Sequence, residues 1–229
     1  MDEVLDHIIW HALSGPQAHF STGTSEIRRY APGFSPIIGY RSADKPDLVA
    51  LEPFTTVGEH FYCVGWPGLP PPTWEIEEES FMYRMVWHGS IPSSSEAADA
   101  VPLSLAHASQ ALELATLTRP GPFGLRTPEL GDYFGYFEGE RLIAMAGERM
   151  QAGSFREVSG VCTHPDFQGR GIARSLMLKL IRRHMVRGQI TFLHVMGENK
   201  AAQRLYERMG FRVYREVPVR ILLRRGLTV

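Results

Sequence analysis

An α/β fold is predicted by this 229-residue chain: a mixed, mostly antiparallel sheet with flanking helices, preceded by a smaller α/β N-terminal region. Three observations predict it. Short apolar or alternating runs recur between residues 133 and 224, as half-buried strands require. Two stretches with apolar residues at helical spacing, 172–187 and 199–209, interrupt those runs. A glycine-containing hexapeptide, Gln168-Gly-Arg-Gly-Ile-Ala173, joins a strand-like run to the first of these helices.

Taken in order, residues 4–13 read as a helix, and the Pro/Gly-punctuated stretch 15–53 reads as loop with one helix near 47–51. Residues 61–65 and 74–87 read as strands on either side of Trp66-Pro-Gly-Leu-Pro-Pro-Pro72. Glu75, Glu77 and Glu79 alternate with Ile76 and Glu78, which reads as a solvated strand face. The small, polar stretch 90–99 reads as a linker. It divides the chain into an N-terminal region, 1–99, that completes the sheet or the substrate site, and a second unit, 100–229.

In the second unit a stripe of Leu105, Ala108, Leu112 and Ala115 makes 103–118 a helix, and Thr127-Pro128-Glu129 has the order of a short helix start. Residues 133–138 and 141–149 flank Gly139 as a hairpin, and 156–163 adds a third strand. The helix at 172–187 carries Ile172, Leu176, Met177, Leu180 and Ile181 on one stripe, with Arg182, Arg183, His184 and Arg187 toward the negative end of its dipole. Gly188 stops it; strand 190–195 and helix 199–209 follow, the latter closed by Gly210. Residues 211–217 and 219–224 read as two strands broken at Pro218, and edge strands there leave a homodimer open.

Hydrophobic residues at 44% and charged residues at 21% are ordinary for a globular protein, and no apolar run reaches the length of a membrane span, so no membrane partner is expected. The acidic start, Met1-Asp-Glu-Val-Leu-Asp6, lacks the basic stretch of a secretory signal, and the chain reads as cytoplasmic. Two cysteines, Cys63 and Cys162, make no disulfide framework, and His7 and His11 at i, i+4 lack a third ligand, so no metal is expected. A net charge of −1 hides an asymmetry: residues 1–150 hold 9 Lys+Arg against 20 Asp+Glu, and residues 151–229 hold 15 against 5. The basic part lacks the interleaved aromatics or Cys/His scaffolds of nucleic-acid binders, and it carries the glycine loop. A small polyphosphate suits it better than a nucleic acid.

In that loop Gly169 and Gly171 remove Cβ atoms, so the main chain and the next helix's unpaired N–H groups can close on an anion. The hexapeptide resembles the Gln/Arg-x-x-Gly-x-Gly/Ala pyrophosphate loop of the GNAT acyltransferases. Asn199-Lys-Ala-Ala-Gln-Arg-Leu-Tyr-Glu-Arg-Met-Gly-Phe211 resembles their Asn-x-x-Ala-x-x-Leu-Tyr-x-x-x-Gly-Phe helix. The strand Glu157-Val-Ser-Gly-Val-Cys-Thr-His-Pro165 feeds the loop as theirs does, and the likeness is best over about residues 100–225. Thr163-His-Pro165 and the N-terminal extension look like a bacterial branch with a degenerate first half.

The resemblance implies a GNAT-like sheet, acetyl-CoA as acyl-donor cosubstrate, and direct transfer to the amine of a small molecule or peptide. It implies pyrophosphate held by Gln168, Gly169, Arg170, Gly171, Ile172, Ala173 and Arg174. It also implies a pantetheine arm along the backbone of Val161, Cys162 and Thr163, with Asn199, Ala202 and Tyr206 beside it. Glu157 is the implied base or water-positioner, the alternative being a glutamate at an exposed strand start. Tyr206 is the implied acid for the departing thiolate, the alternative being a core tyrosine. His164 and His194 flank the region and read as structural, and Cys162 reads as an inert core thiol. Two other readings remain at this point: a non-catalytic acyl-CoA-binding or regulatory module, and a nucleotide-binding regulator without a Walker loop. The acceptor is unnamed.

Overall fold

The computed structural model describes residues 2–226. The chain opens with α1 (Glu3–Asp6) and α2 (Ile8–Ser14), then β1 (Ser21–Gly23), β2 (Ile27–Tyr30), β3 (Ile37–Tyr40), α3 (Leu48–Leu51), β4 (His60–Val64) and β5 (Trp74–Trp87). It continues through β6 (Val101–Pro102), α4 (Ala108–Thr118), β7 (Tyr133–Glu138), β8 (Arg141–Ala152) and β9 (Phe155–Thr163). It closes with α5 (Ile172–Val186), β10 (Ile190–Met196), α6 (Lys200–Met209) and β11 (Phe211–Arg224).

All eleven strands join one sheet, in the order β1-β2-β3-β4-β11-β5-β10-β9-β8-β7-β6, antiparallel except for β3–β4 and β9–β10. The mixed, mostly antiparallel sheet with flanking helices is therefore as the sequence predicts. Its order carries a further fact. Strand β5, from the first half of the chain, fills the slot between β10 and β11, so the sheet runs across position 99 without a break. The 90–99 stretch, expected as a linker, lies along α5: Lys179 donates to the Ala97 carbonyl, Arg182 to the Pro92 carbonyl, and Ala97 is buried.

Strand β10 shows how the two faces are used, because successive side chains alternate. Leu193 and Val195 pack with Leu176, Met177, Leu180 and Ile181 of α5. Phe192 packs with Leu5, Ile8, Ile9 and Leu13 of α1 and α2 on the opposite face. Burying three or four such side chains contributes on the order of 5–10 kcal/mol per helix before the cost of ordering them.

Two sequence expectations change. Residues 15–53 are not loop with one helix, since β1, β2 and β3 lie there beside α3. At three or four residues each they are too short to display a period of two. Pro218 does not divide two strands either: β11 runs unbroken, pairing with β5 from Phe211 to Arg224 and with β4 from Val219 onward. The Pro218 carbonyl accepts from Gly65 N, so this residue turns its polar edge toward β4, whose last strand residue is Val64. A missing N–H is tolerated where the neighbouring strand has ended. Residues 219–224 thus lie inside the sheet and offer no edge to a second copy.

A chain beginning at residue 100 loses β5 and bares the facing edges of β10 and β11. It is expected to lose cooperative folding, checked by circular dichroism melting and size-exclusion chromatography beside the full chain.

Candidate active site

Strands β9 and β10 pair in parallel only at Phe155/Ile190, Arg156/Thr191 and Glu157/Phe192, and beyond these they part. A bulge accompanies the parting. Between Met145/Cys162 and Gly147/Ser159 the strand β9 carries one residue more than β8, at Gly160, whose φ is +61°. A Cβ there would stand 3.1–3.3 Å from Phe123 and Tyr133, so glycine meets both the backbone sign and the close packing.

A cleft of about 1150 Å³ opens at the parting. Its lining runs from the glycine loop and the start of α5, past Ser159, Val161 and Thr163 of β9 and His194 to Met196 of β10, to Asn199, Ala202 and Tyr206. Beyond these it reaches residues of the first half of the chain, Ile9, Tyr62 and Glu78 among them. The regions singled out in the second half are therefore brought together.

At the loop end Gly169 and Gly171 have φ of +77° and +76°, and a Cβ on either would meet nothing within 4 Å. Gly171 is the N-cap of α5, and no side chain caps that helix, so its first-turn N–H groups face the cleft with the positive end of the dipole. Gln168 donates to the Thr163 carbonyl at 3.2 Å and ties the loop back to the end of β9. Arg170 lies over the Phe167 ring, and Arg174 is 3.8 Å from Glu96. This end suits a polyanion.

At the other end of the parting, Asn199 caps α6 by accepting from Ala202 N at 3.0 Å. Tyr206, one turn further, lines the cleft and stacks edge-on against Phe211. Burial, with a smaller effect from Cys162, pushes its phenol up to about 12, so it carries its proton at neutral pH. The Cys162 side chain packs in the core, where burial lifts the thiol to about 12, and the residue does not line the cleft. His164 accepts from Asp166 N and shapes the turn before the loop.

Glu157 departs from both readings of the sequence. It has no exposed surface and does not line the cleft. Its carboxylate accepts two hydrogen bonds from Arg149, at 2.6 and 2.9 Å, and one from His194 Nδ1 at 2.7 Å. Burial alone would raise its pKa, but Arg149's charge and the three bonds outweigh that and hold it far below the usual carboxylate range. A carboxylate so engaged is a poor base. The other His194 nitrogen, Nε2, accepts from Arg84 Nε at 3.0 Å, which leaves the proton on Nδ1 and the ring neutral. Burial is the main reason its pKa falls to about 4, with Glu157 opposing and Arg84 and Arg149 reinforcing. Arg84 in turn donates to the Leu5 and Asp6 carbonyls. Arg84 and Arg149 escaped sequence reasoning, since an arginine inside an alternating strand carries no sign of being buried.

The family model of FR47-like proteins matches residues 133–220, which hold β7 to most of β11. Over 85 residues the chain is 37% identical to the [ribosomal protein bS18]-alanine N-acetyltransferase of Salmonella typhimurium. That match takes in 32% of this chain and 57% of the enzyme, so the chain spans little more than half the length of this curated relative. A GCN5-related N-acetyltransferase from Kribbella flavida shares the fold, with a TM-score of 0.60 at 15% identity over 98% of this chain and 95% of that one. A GNAT-family protein from Novosphingobium aromaticivorans superposes with a TM-score of 0.89 at 31% identity, covering 98% of this chain and all of that one. With nearly a third of its residues shared along its whole length, on one common fold, the chain belongs to the GNAT family, and it is an acyltransferase.

Proposed function

We propose that this acyltransferase transfers an acetyl group from acetyl-CoA to a primary amine by direct attack of the neutral amine on the thioester. The observation that carries the reading is the shape of one continuous cleft. It joins an uncapped helix N-terminus with a glycine lip, a gap between two parted strands, and a protonated tyrosine. In this reading the N–H groups of residues 169–174 hold the pyrophosphate, and Arg170 and Arg174 add charge at its rim. The pantetheine arm runs along the backbone of Val161, Cys162 and Thr163, which β10 leaves unpaired beyond Phe192. Asn199 and Ala202 border it from α6.

The amine nitrogen bonds to the thioester carbonyl carbon, the C–S bond breaks, and the sulfur takes the proton that the Tyr206 hydroxyl releases. The proton shed by the amine goes to water in the cleft, from which the Tyr206 phenolate regains a proton, because Glu157 is sealed off and His194 has both nitrogens engaged. Glu157 is in this reading a positioning residue. With Arg149 and Arg84 it fixes the His194 ring at the point where the strands part.

Three outcomes test this. Tyr206→Phe is expected to lower kcat at least about tenfold, measured by thiol release, while calorimetry shows acetyl-CoA affinity unchanged; an unaltered kcat removes Tyr206 from the chemistry. Gly171→Val puts a branched side chain at positive φ in the open lip and is expected to weaken acetyl-CoA binding at least about tenfold. Stability should also fall on acidification. His194 titrates near 4 when folded against 6.5 ordinarily, so the unfolded chain binds the extra proton between those values. Its contribution is complete above about pH 6.5 and shrinks by up to about 3 kcal/mol as pH falls to 4. His194→Asn, which keeps a donor for Glu157 but does not titrate, should flatten that part of the melting-temperature profile.

A further inference from the structure

Strand register lines one lobe of the cleft with side chains from the first half of the chain. Directly paired residues share a face, and Ile37, Tyr62, Ile221 and Glu78 form one rank across β3, β4, β11 and β5. Val64, Val219 and Ser80 form the next, and all seven line the cleft. The surface is apolar except along β5, where Glu78 stands at the exposed rim. Ser80 donates to Glu198 across the gap at 3.4 Å, so a second carboxylate sits on the same side.

The other glutamates of β5 are all paired: Glu75, which the bulge between Glu78 and Ile76 brings to the face of Glu78, with Arg225; Glu77, at the bulge, with His60; and Glu79, on the opposite face, with Arg220. Glu78 faces the cleft, and among the described residues it has no cation within salt-bridge distance. Arg149, which also lines the cleft, is committed to Glu157. The nearest phenol responds to the same carboxylate: Tyr62 is shifted upward first by burial and then by the charge of Glu78.

We infer that the acceptor is a small primary amine on an apolar alkyl or arylalkyl body, with Glu78 holding its ammonium and the Ile37–Tyr62–Ile221 rank taking the apolar part. The inference rests on the acetyl-transfer reading and names its acceptor class. Charge complementarity selects the cation. The ranks select an apolar body. Strands β4 and β11 are paired on both sides at Tyr62 and Ile221, so the apolar rank offers no backbone edge along which a peptide could be added; the edge that β5 leaves unpaired, over residues 75–80, carries none of the apolar residues of the two ranks. Binding at Glu78 also presents the amine in its charged form, and the proton is released to water once the nitrogen moves toward the parted strands.

The test uses the full chain, acetyl-CoA and three acceptors: 2-phenylethylamine, ethanolamine, and a tripeptide with a free N-terminus. 2-Phenylethylamine is expected to give a kcat/KM at least about tenfold above the other two. Glu78→Gln is expected to raise its KM by about tenfold with the calorimetric affinity for acetyl-CoA unchanged, since one charge-assisted contact is lost. Ile221→Ser is expected to raise KM for 2-phenylethylamine but not for ethanolamine, a split that a general loss of folding does not produce. Equal or better turnover of ethanolamine or the peptide overturns the acceptor inference and leaves acetyl transfer standing, as does an unchanged KM in Glu78→Gln. Failure of the wild-type chain to bind acetyl-CoA overturns both.

Discussion

A strand can leave a sheet only if its two neighbours find other partners, and β5 has no substitute. It is fourteen residues long and lies between β10 and β11, with Met85, in the part flanked by both, fully buried. Through it the first half of the chain enters the middle of the sheet that the second half would otherwise leave open. The consequences reach the cleft. Strand β10 can diverge from β9 beyond Phe192 because β5 still pairs its other edge as far as Met196. Without that support the parted strand would have both sets of backbone groups unpaired. The gap between β9 and β10 is therefore maintained from the side, by residues far away in sequence.

The floor of the cleft is held by charge rather than by apolar packing. Arg149, Glu157, His194 and Arg84 form a buried chain of hydrogen bonds linking β8, β9, β10 and β5. Such a chain is costly to bury and costly to break: losing one partner leaves the others unpaired, at about 3–5 kcal/mol. What it provides is definition. The tautomer of His194 is set by its neighbours on both sides, and the side chains at the strand parting have one arrangement. Glu157, which sequence reasoning cast as base or water-positioner, sits at the middle of that chain, bonded to Arg149 and His194.

Legibility in the sequence followed the range of the physics. The helix at 172–186 and its glycine loop were readable because capping, periodicity and positive φ are local, and Asn199 with Tyr206 could be placed because both lie within two turns of one helix. Strands β1 to β3 were not readable, being shorter than any period they could display. Pro218 misled because its effect depends on where another strand ends. The burial of Glu157 was not readable because its neighbours come from β8 and β10, which no spacing along the chain reveals. Glu78 was hidden inside a run of glutamates that looks uniform until the cations paired with its neighbours, which come from distant parts of the chain, are in place.

The entry of β5 into the sheet limits how a relative of this protein could change its substrate. Residues 1–99 supply much of one wall of the cleft, which invites the idea of exchanging that stretch as a cassette between enzymes. Here the cassette is also the central rib of the recipient: Arg84 is bonded to His194, and Trp87, Met85 and Tyr83 are in register with Phe211, Val213 and Glu216. A transplanted first half would need to match two foreign strands and a buried charge network at once. Diversification in this architecture is accordingly channelled into single replacements on the cleft-facing positions of β4, β5 and β11, where a side chain can change while the ladder beneath it stays as it is.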